Sequence, residues 1–456
     1  MEKVPQPKRI LDMTKGNAIR KILIFAVPLL IGNIFQQVYS VVDTMVAGYT
    51  LGDSAIAAIG ATSSLYALII DLAWGLNSGF SLVITQSFGA HDHGRIKKAI
   101  AGSMILNTAL TLLLTVLALA FLHPLMRFMN TPSTIEDQAY RYMIIICAGM
   151  LATIVYNMFA GILRSFGNSR TPLYFLIFSC LLNIGLDILF VAGMSMGVGG
   201  AALATVIAQA VSGLLTGIYV YRNYGDMMPE KKDFWLDKEM TKELLSTGSA
   251  MAFMYSIVNL GSAVFQGAIN TLDESVITAW AAGGKIVGIL MQPLGTIMDA
   301  SSTFVGQNWG ARQYQRIKDT VRKVMGLEIL WGLISTVSVY LFGSQMIRLL
   351  TGTQSQDIVS MAVTAMRYQI FFFPVLGVLL VLRTTMQAMG QKVAPVVSSG
   401  LELLMKFIAA VVMIPAYGFM GACINIPVTW IVMTLFLLAV YWIKTKRILW
   451  TKTALA

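Results

Sequence analysis

Residues 21–48 read KILIFAVPLLIGNIFQQVYSVVDTMVAG, and this stretch decides the fold. It is apolar and, at about 1.5 Å rise per residue, long enough to cross the ~30 Å hydrocarbon core of a bilayer as a helix. Yet it holds an acid, Asp43, and a proline, Pro28. Around them Asn33, Gln36, Gln37, Ser40 and Thr44 recur at i, i+3/i+4 and i+7, which gathers them into one polar stripe. Unpaired polar groups in hydrocarbon cost several kcal/mol each, so the stripe must face protein or water. An ionisable group at that depth marks a functional site.

The rest of the chain has the same character. Of 456 residues, 56% are hydrophobic and 12% charged, about half the charged fraction of a soluble protein. The apolar runs lack the two-residue alternation of outer-membrane barrels. The first run is too long for the core of a signal peptide, so no cleaved leader is expected. The expected fold is an all-α polytopic membrane protein. Its twelve spans fall at 20–46, 54–83, 96–122, 137–162, 172–193, 199–221, 242–268, 276–306, 316–343, 357–386, 393–416 and 420–443.

The net charge of +11 does not point to nucleic acid, because the basic residues fall in alternate loops. Of 33 Lys and Arg, 26 lie on one side; Arg127, Arg141, Arg348 and Arg367 lie on the other, and Lys285, Arg383 and Lys406 lie within spans. This asymmetry places both termini in the cytoplasm of a multi-pass protein of the plasma (inner) membrane. Cys147, Cys180 and Cys423 fall inside apolar runs and read as small core residues.

The chain also repeats itself. ITQSFGAHDHGRIKKAI aligns with FVGQNWGARQYQRIKDT, so that Gln86 pairs with Gln307, Gly89 with Gly310, Arg95 with Arg316 and Lys97 with Lys318. LGDSAIAA aligns with LDESVITA at the same shift of 221, and Gly167 and Pro172 align with Gly390 and Pro395 at 223. The expected organisation is an N-lobe at 1–221, a cytoplasmic linker at 222–241 and a C-lobe at 242–456. Six helices per half give both lobes one orientation, related by a pseudo-two-fold axis along the membrane normal. Paired bundles of this kind suit a transporter working by alternating access.

In-span polar residues concentrate in the first half. Helix five carries Asn183 and Asp187 at i, i+4, helix six carries Thr205 and Gln209, and helix four ends with Tyr156 and Asn157. Together with Asp43 these are hard oxygen ligands suited to Na⁺ or to a shared proton. The second half is chemically different, because Asp43 aligns with Val264. Helix eleven instead carries Glu402 and Lys406 at i, i+4, which reads equally well as an ion pair within the helix or as a cleft lining. Lys285, Asp299, Glu328, Arg383 and Asp71 are further in-span charges, some of them expected near span ends, where long side chains snorkel. His91 and His93 form a weak metal motif in a loop. No nucleophile triad or phosphate loop stands in a suitable context, which argues against an enzyme and against an ATP-driven pump.

These stretches resemble the multidrug and toxic compound extrusion (MATE) transporters over nearly the whole chain. The resemblance rests on the double repeat, on PLLIGNIFQQVYSVVDTMVAGYTLGDSAIAAIG, on QSFGAHDHGRIKKA, and on GILRSFGNSRTP with LNIGLDILFVAGMSMGVGGAALAT. The match is to the branch with its cation site in the N-terminal lobe. It implies a site of Asp43, Asn183, Asp187 and Thr205, with Asn157 as the nearest helix-four candidate, and a bending point at Pro28. It implies antiport: export of organic, often cationic and amphiphilic, compounds against inward H⁺ or Na⁺. Asn33, Gln36, Gln37 and Tyr39 would line the substrate path. No cofactor is expected and no metal beyond Na⁺ at the coupling residues. The expected partners are small-molecule substrates and membrane lipids around a monomer. A lipid-linked precursor flippase of the same superfamily and a non-transporting scaffold or receptor are the alternatives.

Overall fold

The computed structural model describes residues 10–128, 132–235 and 237–445. Side chains at a few further positions, including Ser40 and Thr44 of the polar stripe, lie outside the described set, as do the basic residues expected at 1–9 and 446–456. The chain is 89% helical, and the described residues contain no strand. The helices are α1 (Ala18–Leu51), α2 (Asp53–Gly89), α3 (His93–Phe128), α4 (Glu136–Ala148), α5 (Met150–Ser165), α6 (Arg170–Asp187) and α7 (Gly197–Asn223). The second half contributes α8 (Lys238–Ile269), α9 (Glu274–Gly310), α10 (Tyr314–Thr351), α11 (Gln356–Ile370), α12 (Phe373–Ala388), α13 (Val393–Ile408) and α14 (Ile414–Val440).

Among the described residues eight helices are long and apolar enough to cross a membrane, or ten spans if each of two bent pairs is one. Dividing the longest run and including the 37-residue α2 brings these to twelve. Two spans are bent pairs: α4 with α5, and α11 with α12, each turning by 46°. The 51-residue run from Val393 to Ile443 is two spans, since at ~1.5 Å per residue it would be about twice as long as a bilayer is thick. It breaks at Gly418, whose φ of 54° and ψ of −133° are open to glycine and strained for other residues.

The repeat read from the sequence is also a repeat of backbone conformation. Positive φ recurs at His91 and Arg312, at Gly167 and Gly390, and at Ser195 and Gly418. A π-helical turn follows α6 at Ile188–Gly193 and another follows α13 at Ala409–Met413. The paired turns close with the same bonds. Asp92 N–H donates to the Ser87 carbonyl as Gln313 N–H does to Asn308, and Asn168 N–H donates to Leu163 as Gln391 N–H does to Met386.

The chain forms two compact units, one of residues 1–12 and 27–252, the other of 13–26 and 253–456. The division cuts α1 between Ala26 and Val27, beside Pro28, and cuts α8 between Ala252 and Phe253. Pro28 is buried in the interior of α1, which continues as helix through it. Its missing N–H removes one i→i−4 bond, leaving the helix easier to bend there.

In the first unit the core gathers Phe80, Phe88, Phe166 and Tyr224. Here α2 and α8 cross backbone to backbone: a Cβ on Gly79 would lie 2.6 Å from Gly248 Cα. The start of α3 holds the mixed-charge linker, where Lys97 pairs with Glu230 and Lys98 lies 3.6 Å from Asp237, and the start of α8, where Arg95 donates to Glu243 at 2.7 Å. The two lysines beside Glu230 hold its carboxyl down at about 2. In the second unit Arg316, the repeat partner of Arg95, donates instead to the carbonyls of Met13 and Lys15. That unit's core centres on Phe373, Ile347 and Met366.

Two of the in-span charges do not snorkel. Glu328 on α10 is 0% exposed, and Arg383 on α12 is 8% exposed. Glu328 lies at a tight packing surface, where a Cβ on Gly377 of α12 would lie 2.6 Å from the Glu328 Cβ.

Candidate cation site in the first unit

Tyr39 and Asp43 are four residues apart on α1, and Asn183 and Asp187 are four apart on α6. Each pair therefore projects from one face of its helix. Asp187 ends the regular part of α6, and the π-helical turn begins at Ile188. Such turns widen a helix locally and often mark functional sites. Thr205 comes from α7, where its hydroxyl donates to the Ala201 carbonyl at 3.1 Å and leaves its oxygen free to accept.

Asn183 is the hub of the arrangement and is 2% exposed. The surrounding donors and acceptors set its amide orientation. Its nitrogen donates to Tyr39 Oη at 3.0 Å and to Asp187 Oδ2 at 2.9 Å, and its oxygen accepts from the Thr205 N–H at 3.0 Å. Tyr39 Oη also lies 3.5 Å from Thr205 Oγ1. The carboxyl groups of Asp43 and Asp187 are close enough to share a hydrogen bond. Two carboxyls at that range need a proton or a metal cation between them. Oδ1 of Asp43 and Oδ1 of Asp187 are both buried with no hydrogen-bond partner. Two unpartnered carboxyl oxygens, with the Tyr39 and Thr205 hydroxyls close to their Asn183 partner, fit a proton or a small hard cation.

The structure thus brings together Asp43, Asn183, Asp187 and Thr205. Tyr39, expected on the substrate path, joins this cluster through its hydroxyl. Asn157 does not: its amide nitrogen donates to the Thr153 carbonyl at 3.0 Å, and it makes no bond to either aspartate among the described residues. Gln36 and Gln37 are exposed on α1, and Asn33 is half-buried with a polar partner of its own. Tyr142 on α4 lies near both carboxyls and was missed in the sequence, where nothing about one tyrosine in an apolar span sets it apart. His91 and His93 fall at the turn between α2 and α3, and no cluster of three or more metal-binding side chains occurs among the described residues.

A family model described as MatE matches residues 28–189 and again residues 250–412, one match for each copy of the repeat. The chain belongs to the MatE family. Similar proteins include "Probable multidrug resistance protein YoeA" of Bacillus subtilis, 26% identical over 406 residues, covering 88% of this chain and 87% of that protein. "Probable multidrug resistance protein NorM" of Thermotoga maritima is 24% identical over 361 residues, 75% of each chain. Among solved structures, a MATE in the bent conformation superposes with a TM-score of 0.86 at 21% identity, covering 97% of this chain and 98% of that one. MatE is a family of membrane transporters that includes multidrug efflux proteins, so this chain is a multi-pass membrane protein of a transporter family.

Proposed function

We propose that this MatE protein exports organic, often cationic and amphiphilic, compounds in exchange for an inward cation, H⁺ or Na⁺. The carboxyl pair Asp43–Asp187 carries this reading, because its two buried, unpartnered oxygens are where a cation would sit. Asn183 positions Asp187, Tyr39 and Thr205 brace Asn183, and Tyr142 borders the pair. Occupancy by a cation neutralises the pair. Emptying it leaves two facing negative charges, which favours a rearrangement of α1. Pro28 is the bending point in this reading, supported by its place at the division of α1 between the compact units. Exposed Gln36 and Gln37, with Asn33, serve the substrate path. The protein works by alternating access, as a monomer in the plasma membrane with both termini cytoplasmic.

The test is efflux of a cationic dye from proteoliposomes with ΔpH and ΔNa⁺ imposed separately. Asp43→Asn and Asp187→Asn should each abolish efflux driven by the coupling ion, and the wild-type response identifies that ion. Full ion-driven efflux by Asp43→Asn would sink the proposal.

A further inference from the structure

The second unit holds a charged cluster that the cation site does not use. Glu402 and Lys406 on α13 pair at 2.8 Å, and Arg383 on α12 reaches the other Glu402 oxygen at 3.6 Å. The three side chains are 10% (Arg383), 13% (Glu402) and 14% (Lys406) exposed. Arg383 also donates to Ser398 Oγ at 3.3 Å, and Lys406 donates to Ser262 Oγ on α8 at 2.9 Å. Two cations share one carboxylate, so the cluster carries one positive charge in excess. An uncompensated buried charge is costly and persists where something balances it.

Donor capacity is in excess as well. A lysine ammonium has three N–H donors, and Lys406 spends two, on Glu402 and Ser262. The buried Nε of Arg383 has no partner. The cluster is not sealed, because Ser262 is exposed on α8, next to the ammonium.

The repeat gives the cluster its meaning. Pro172 and Pro395 open the two corresponding stretches at a shift of 223, and α6 and α13 each run on from there without a break past Asn183 and Lys406. At that register Lys406 takes the place of Asn183, the hub of the cation site. The acids are absent from the second copy, since Asp43 aligns with Val264 and Asp187 with Ala410. The duplicated position therefore holds acids around an amide in one copy and surplus cations around one acid in the other.

We infer that Lys406, backed by Arg383, binds one anionic group, a carboxylate or phosphate, entering beside Ser262. The anion completes the charge of the cluster and takes up the third Lys406 donor. Its source is either an amphiphilic substrate that carries an acid as well as a cation, or the headgroup of an anionic lipid. The site thereby extends the substrates of the transport reading to zwitterions. Binding at equilibrium needs no ion gradient, so a failed binding test is distinct from failed antiport.

The probe pair is tetramethylrhodamine bearing a free carboxylate and its methyl ester, with binding followed by fluorescence polarisation on the full chain in phosphatidylcholine nanodiscs. The wild type should bind the acid more tightly than the ester. Lys406→Gln should weaken acid binding by about tenfold, the loss of one charge-assisted hydrogen bond, and leave ester binding within about twofold. Lys406→Arg should keep the preference. Glu402→Gln should strengthen acid binding, which gives a second reading if Lys406→Gln fails to fold. Adding phosphatidylglycerol separates the sources: competition with the acid that vanishes in Lys406→Gln identifies a lipid headgroup, and its absence a substrate group. The inference is overturned if the wild type does not distinguish acid from ester, if Lys406→Gln weakens both equally, or if Glu402→Gln weakens acid binding.

Discussion

Tyr39→Phe tests the assembled site most sharply. The substitution keeps the ring and removes a hydroxyl that meets Asn183 at 3.0 Å and Thr205 Oγ1 at 3.5 Å. The second contact is at the limit of a hydrogen bond, so one full bond is lost. Its net worth is about 0.5–1.5 kcal/mol, which corresponds to roughly two- to tenfold in an equilibrium constant. Asn183 then keeps Asp187 and the Thr205 N–H but is no longer tied to α1. The ordering that Tyr39 supplied must be met when the cation binds, so apparent cation affinity should fall by that factor. In proteoliposomes, dye efflux is measured across a series of coupling-ion concentrations at several dye concentrations. The ion concentration for half-maximal rate should rise two- to tenfold while the dye KM stays within about twofold. A shifted dye KM with unchanged ion dependence would place Tyr39 on the substrate path and refute its role in the cation site.

Other consequences concern stability. Gly79→Ala puts a methyl 2.6 Å from Gly248 Cα, with backbone that cannot rotate away; it should cost about 1–3 kcal/mol, read as a lower melting temperature in detergent. Both oxygens of Glu328 are buried without a partner, whereas its repeat counterpart Asn107 donates to Asn77 Oδ1 at 3.2 Å. Glu328→Met should therefore raise the melting temperature, by about 1–3 kcal/mol of stability for relieving one unpaired buried polar group. The Glu230 carboxyl is held at about 2, below its ordinary 4.5, by Lys97 and Lys232. A depressed carboxyl contributes stability above its unfolded value and loses it on acidification. The melting difference between wild type and Glu230→Gln should be constant above pH 5 and shrink as pH falls from about 4.5 towards 2. Added salt should reduce it, since the group is exposed.

Much of this protein was legible in one dimension. Span length, the in-span acids and the recurrence of Gln86, Gly89 and Arg95 at a fixed shift come from local chemistry and counting. Hydrocarbon thickness and helix pitch turn these directly into twelve helices and a duplicated chain. The i, i+4 spacings that place Tyr39 with Asp43, and Asn183 with Asp187, belong to a single helix, so they too could be read in advance. The tertiary structure decided which of those faces meet. Tyr39 and Thr205 are 166 residues apart, and whether a hydroxyl reaches Asn183 depends on the rotation and depth of α1 against α6 and α7, which packing sets and periodicity does not. The same freedom turns Asn157 back on its own helix and brings Tyr142 beside the acids. It also leaves Glu328 without the partner that Asn107 has, although the two positions are equivalent in the repeat.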